Sequence, residues 1–326
     1  MSFKRLEPED LLVSADSVVT SAWSNGNVEL TSFYTSSTQY SSTSRNYYVN
    51  VYDVDADTDS SAEVQFTIGY GHKTGLGSVL FTSSSTSSTQ SPSSVVYGQM
   101  RTLLLGDEES DFVFDAGNEN THTPDDIFVI TFDRSRYKES IKPGSFELVL
   151  NSNVTLKDNS SDVSSVTFTD AGRVFEILKD GTNGQADSGS FGKLFPDVGI
   201  VVLNPDAIQA GTDVNVTTKT ENYDGQNAKK LFDELSSFKA QSQETLSSNF
   251  VFARARNNEF NYTTNPSFLT GSGEIRYEEL INSPETYITT VGMYNDNQDL
   301  LAVAKLSRPL LKNPTKEALI RIKLDY

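Results

Sequence analysis

The segment that most constrains the fold is the last one. From Ala318 to Tyr326 the chain reads Ala-Leu-Ile-Arg-Ile-Lys-Leu-Asp-Tyr. Ala318, Ile320, Ile322 and Leu324 fall on one side of an extended backbone, and Arg321, Lys323 and Asp325 on the other. A period of two is the pattern of a strand with one face against a core and the other toward solvent. Just upstream, Tyr287–Tyr294 and Leu300–Leu306 flank Asn295-Asp296-Asn297-Gln298, which predicts a hairpin. Both readings constrain how the chain assembles rather than what chemistry it performs.

Strand patterns recur along the whole sequence. Tyr47–Tyr52, Val64–Tyr70, Phe128–Phe132, Ser145–Leu150, Val163–Phe168 and Val174–Leu178 are β-branched, aromatic or alternating. Gly199-Ile200-Val201-Val202-Leu203 is a short continuous apolar run, as expected of a strand buried on both faces. Pro143-Gly144 and Asp180-Gly181 read as turns. Helical signals are few. Asn227–Glu244 carries Leu231, Leu235 and Phe238 at helical spacing, with Phe232 alongside and Tyr223-Asp224-Gly225 before it to supply a cap. Asn204-Pro205-Asp206-Ala207-Ile208 predicts one short turn capped by Asn204. Two Ser/Thr tracts, Thr31–Ser44 and Thr82–Ser94, read as extended surface segments, either loops or arms lying along a neighbour.

Composition narrows the function classes. The apolar share is 36%, yet 19 Phe and 14 Tyr suffice for a core. The net charge is −18, from 44 acidic and 26 basic residues. A nucleic-acid surface needs Lys and Arg to neutralise phosphates, so none is expected. There is no cysteine, which excludes disulfides, thiolate catalysis and zinc–thiolate sites. No apolar stretch approaches 18 residues, so neither a signal peptide nor a membrane-spanning helix is expected, and folding in a cytoplasm is.

Motifs with chemistry are weak. Asp53-Val54-Asp55-Ala56-Asp57-Thr58-Asp59 resembles the opening of a calcium loop, but the sixth and twelfth positions are Thr58 and Val64 rather than Gly and Glu. A solvated turn is the better reading. His72 and His122 read as structural or surface residues, since no sequence feature sets a nucleophile and an orienting group against either. Asp107–Asp111 and Asp125-Asp126 supply carboxylate pairs of the kind that hydrolyse glycosides, in a chain where acids are common. The glycines from Gly181 to Gly192 fit neither a P-loop nor a dinucleotide fingerprint and predict a mobile loop. Arg254 and Arg256 alternate with an apolar face and could meet acidic surface in this chain or a neighbour. Trp23, with the Ser/Thr/Tyr-rich loops, would suit a glycan-binding module.

Several segments together carry a family resemblance. They are Ser2–Asp10, Arg136–Phe146, Phe260–Phe268, Tyr287–Asp296 and Leu300–Ser307. The chain resembles virion structural proteins of the baseplate and tail of T4-like contractile-tailed phages, of the cyanophage type. The resemblance covers most of the chain and is densest in its last part. It carries no catalytic motif. It implies a non-enzymatic, cofactor-free subunit, built in the host cytoplasm and incorporated into the virion in several copies. Its partners would be other tail and baseplate proteins, with no nucleic acid and no membrane insertion.

The expected fold is mainly β, α+β at most, with antiparallel sandwich-like sheets, one or two helices and long extended arms. The expected divisions are an N-terminal arm over 1–45, a β-rich domain over 46–204, and a helix with a C-terminal β domain over 205–326. Interface candidates are Phe3, Leu6, Leu11 and Leu12 in the arm, Arg254 and Arg256, and Ile320, Ile322, Leu324 and Tyr326 in the last strand.

Overall fold

The computed structural model describes residues 4–35, 48–77, 91–115, 121–164, 166–180, 188–212, 214–216, 226–263 and 265–325. The chain divides into two compact units. The larger is Val18–Glu244; the smaller joins Met1–Ser17 to Thr245–Tyr326. Both crossings fall inside strands, Leu11–Ser21 and Gln241–Ala255. Neither break lies at 45/46 or 204/205, because the first and last parts of the chain meet in one unit.

The larger unit is organised by one curled antiparallel sheet. Its strands lie in the order Glu29–Leu30, Leu235–Lys239, Glu147–Leu150, Val154–Asp158, Gly172–Lys179, Gly192–Phe195, Ile200–Leu203, Asp126–Phe132, Val64–His72 and Tyr48–Tyr52. The mainly β reading therefore holds. Ile200–Leu203 explains the sheet's two-sided character. Val201 and Leu203 pack into one apolar cluster, while Ile200 and Val202 pack into another on the opposite face.

The first cluster centres on aromatic rings. Trp23 lies 5.1 Å from Phe238 and 5.7 Å from Phe132 between ring centroids, and its indole N–H donates to the Val28 carbonyl at 3.2 Å. Trp23 is thus a core residue with a satisfied donor, which corrects the expectation that it could stack on a sugar. The second cluster lies under the helix Pro92–Leu105, through Tyr97 and Leu104. Sequence reading merged the start of this helix into a Ser/Thr tract. The overlooked signals were Pro92 at the first helical position and Gly106 just past the end, where φ is 75°. Both are placed as helix chemistry requires.

Two expected elements differ. Helix covers only Gln226–Asp233, and Leu235–Lys239 is a strand paired with Glu147–Leu150. A bulge between Leu235 and Ser237 lets Leu235 and Phe238, three apart, both face the core. That spacing imitates a helix in sequence. The proposed cap at 223–225 lies outside the described residues. In Val163–Phe168 only the last two residues join a strand, Thr167–Thr169, and Val163, Val166 and Phe168 are exposed. Among the described residues there are five α-helices rather than one or two. The short one at Pro205–Gly211 is capped as expected, with the Asn204 side chain accepting from the amides of Asp206 and Ala207. No described helix is long and apolar enough to cross a membrane.

In the smaller unit, Leu11–Ser21, Gln241–Ala255 and Ala318–Asp325 form a sheet in that order. The last strand pairs antiparallel from Ala255↔Ala318 to Ser248↔Asp325. Val251, Ile320 and Ile322 form its buried cluster, and Ile288, Val291, Met293, Ala304 and Leu306 of the hairpin Thr286–Tyr294/Leu300–Lys312 pack against it. At the base of the hairpin Lys312 is fully buried, its amine donating to the carbonyls of Asn257 and Asn313 and to Oδ1 of Asn261 at 2.6–3.2 Å. Lys312→Met keeps the stem but strands three acceptors. It should lower the unfolding free energy by about 1–3 kcal/mol, read by chemical denaturation. An unchanged midpoint would show that the amine is not what ties this loop to the hairpin.

Candidate interaction surface

A hairpin with alternating residues has two faces. Here one face is used internally, by Ile288, Val291, Met293, Ala304 and Leu306. The other carries Tyr287 at 64% exposure and Val303 at 57%. Near the tip, Tyr294 lies over Gly292, where an added Cβ would come within 3.0 Å of its ring. Beside it the ladder shifts register, pairing Met293 with Ala302 and Tyr294 with Leu300. Leu301 is the extra residue and is 67% exposed. Bulges of this kind re-aim a side chain out of the ladder. A run of large apolar groups thus faces outward on a two-stranded ribbon.

Leu11–Ser21 is an edge strand, and Leu11, Leu12 and Val13 on it are exposed. Natural edges are usually guarded by lysine, proline or inward-pointing charge. This strand carries one charge, Asp16, and no proline. Its outer edge pairs with no other strand among the described residues and is a template for another strand.

Charge is divided unevenly between the units. The larger has 15 basic and 31 acidic residues, a net −16; the smaller has 11 and 13, a net −2. Among the described residues, most of the exposed large apolar side chains lie in the smaller unit. The unit with the least charge to repel a partner is the one with the most apolar surface to offer it.

The expected interface residues fall into three groups. Leu6, Leu11 and Leu12 are exposed. Arg254 and Arg256 are also exposed, and the Arg256 amide donates to Glu259 at 2.8 Å. Lys4 bonds the same carboxylate and the Arg254 carbonyl, fixing the start of the arm. These bonds hold the Glu259 carboxyl below the usual range, the Arg256 amide first and Lys4 second. Ile320 and Ile322 are a correction: they are buried in the unit's own cluster, with Leu324 packed against it, so they do not face a partner. Phe3 and Tyr326 lie outside the described residues. Sequence reading missed Leu301 and Val303, because a hairpin alternating on both faces does not reveal which face is covered.

The groups considered for catalysis have structural engagements. Asp107 caps the amides of Glu109 and Ser110, and Asp111 bridges Lys73 and Arg101. Asp126 is buried and accepts from the Tyr70 hydroxyl at 3.1 Å. His72 is buried, with Nδ1 accepting from the Thr74 amide at 3.1 Å, and His122 Nε2 lies 2.9 Å from Asp206. Burial raises the Glu176 carboxyl above its ordinary value, while its cross-strand partner Lys193 and the Ser190 hydroxyl bond to it. In the acidic loop, Asp55 accepts from the Asp57 amide and Asp59 from the amide and hydroxyl of Ser61, so these two carboxylates organise a turn. No group of three or more potential metal ligands occurs among the described residues. Of the Gly181–Gly192 loop, 181–187 lie outside them.

No protein-family model, curated protein or solved structure matches this chain.

Proposed function

We propose that this chain is a structural subunit of a phage virion, in the baseplate or adjoining part of a contractile tail, and that its smaller unit docks onto neighbouring subunits. The observation that carries the reading is the pairing of near-neutral charge with concentrated exposed apolar surface in that unit. Exposed apolar patches rimmed by polar residues mark protein–protein contacts. The resemblance of Tyr287–Asp296 and Leu300–Ser307 to tail and baseplate proteins supplies the setting, and these residues make up most of the hairpin. A stable interface buries on the order of 1,600 Å², which the hairpin face and the Leu11–Ser21 edge would reach together more readily than either alone. The role is mechanical: the subunit, present in several copies, holds other tail proteins in register, with no catalysis, cofactor, nucleic acid or membrane insertion. It folds in the host cytoplasm and ends in the virion.

The test is a double substitution, Leu301→Asp with Val303→Asp. Both side chains are exposed, so stability should stay within about 0.5 kcal/mol of the parent. Particles assembled with the variant should lack the subunit or fail to form tails. Normal tails carrying the variant at full occupancy would remove the hairpin from the interface. Particles in which the parent chain is absent from the tail altogether would overturn the reading.

A further inference from the structure

The sheet of the smaller unit has a second outward face, with different chemistry from the hairpin. The ladder sets Phe250 opposite Lys323, Phe252 opposite Arg321 and Arg254 opposite Leu319. Directly opposed residues share a face, so three cations, two phenyl rings and a leucine lie together. The alternating residues Val251, Ala253, Ile320 and Ile322 belong to the internal cluster, so this face points away from it. Arg254, Leu319, Arg321 and Lys323 are exposed, and the two rings are half-buried. The Arg321 guanidinium lies 4.6 Å from the centroid of Phe250, which orients it over the ring. Neither Arg254 nor Arg321 makes an ion pair within the described residues.

Two exposed arginines on an aromatic face, with no ion pair among the described residues, stand out in a chain of net charge −18. The same chain supplies its complement. The larger unit carries −16, and Asp53–Glu63 holds five acids and no base. Asp55 and Asp59 there are bonded by amides and a serine, and such bonds leave their charge uncancelled. We propose that the Phe250–Arg254–Leu319–Arg321–Lys323 face binds the acidic larger unit of a second copy of this chain, with the Asp53–Asp59 loop as its counterpart. The contact is heterologous, joining unlike surfaces, so successive copies form a ring if the rotation closes and a filament if it does not. Arginine suits the role because its planar fork pairs carboxylates bidentately and stacks on aromatic rings. The inference extends the assembly reading by naming one partner. Its test needs no particle, so the two can fail separately.

The experiment is sedimentation of the full chain over a range of concentrations and salt. The parent should self-associate at low ionic strength and do so at least about tenfold more weakly when salt shortens the Debye length from ~30 Å to ~8 Å. R254E/R321E and D55K/D59K should each stay monomeric where the parent associates, with unchanged circular dichroism. Mixing the two variants should restore association, because the intact loop of the first meets the intact face of the second. A parent that is monomeric throughout, variants that associate like the parent, or a mixture that stays monomeric would each overturn the proposal. So would association abolished by Leu301→Asp/Val303→Asp but untouched by R254E/R321E, which would assign the self-contact to the hairpin.

Discussion

Replacing Phe238 by alanine should destabilise the larger unit by about 3–5 kcal/mol, the largest effect expected of any single substitution here. The side chain is fully buried. Its ring lies 5.1–5.6 Å, centroid to centroid, from Trp23, Phe66, Phe132 and Phe146. Several of those contacts are edge-on or tilted, geometries that add about 0.5–1.5 kcal/mol per pair beyond area burial. Phe66 and Phe132 face each other across one ladder, while Trp23 and Phe146 lie just outside strands, so the rings come from four separate stretches of chain and the void cannot close by moving one of them. Domains of this kind are stable by roughly 5–15 kcal/mol, and the variant would lose a large part of that. Urea denaturation should show a lower midpoint with little change in slope. Phe238→Leu, which refills part of the space, should recover a good share of the loss. A cost under about 1 kcal/mol for the alanine variant would mean that the ring cluster is not the centre of the core.

Deleting Lys316–Tyr326 should abolish the fold of the smaller unit. The deletion removes Ile320 and Ile322 and leaves Val251 alone of the three buried members of that cluster. Burying two isoleucines is worth about 3–6 kcal/mol, before counting the ladder from Ala318 to Asp325. Of that cluster only Val251 and Ala253 would then remain to cover Ile288, Val291 and Met293 of the hairpin. Hydrogen exchange is the direct measure. Amides of the hairpin and of Phe250–Ala255 should lose protection, while those of Ile200–Leu203 in the larger unit keep it. Hairpin amides that remain protected after the deletion would show that some other contact holds the ribbon.

Side-chain patterning makes most of the sheet legible in the sequence. The two-sided burial of Ile200–Leu203, the last hairpin and the alternation of Ala318–Leu324 all follow from side-chain spacing alone. Legibility failed where the local pattern was broken by something distant. At Leu235–Phe238 a bulge converts strand into apparent helix, and only the aromatic cluster from other segments explains why both residues turn inward. The helix Pro92–Leu105 was hidden by serines that sit at its cap. The candidate interface was half legible. Exposed Leu11 and Leu12 follow from an apolar run beside acidic residues. Ile320 and Ile322 do not, because a sequence reveals that a face is apolar but not whether the same chain already covers it.

The larger unit is an insertion within the smaller one, since residues up to Ser17 must wait for those after Glu244. During synthesis at about 5–20 residues per second, the intervening 18–244 segment takes on the order of tens of seconds to emerge. Throughout that interval Leu11, Leu12 and Val13 have no partner strand to lie against. The acidic unit can therefore fold first and keep the nascent chain dispersed by its charge. The proposed docking surface is complete only once the Thr286–Lys312 hairpin and Ala318–Asp325 have been made, so translation order itself delays any association through it until the larger unit can be folded.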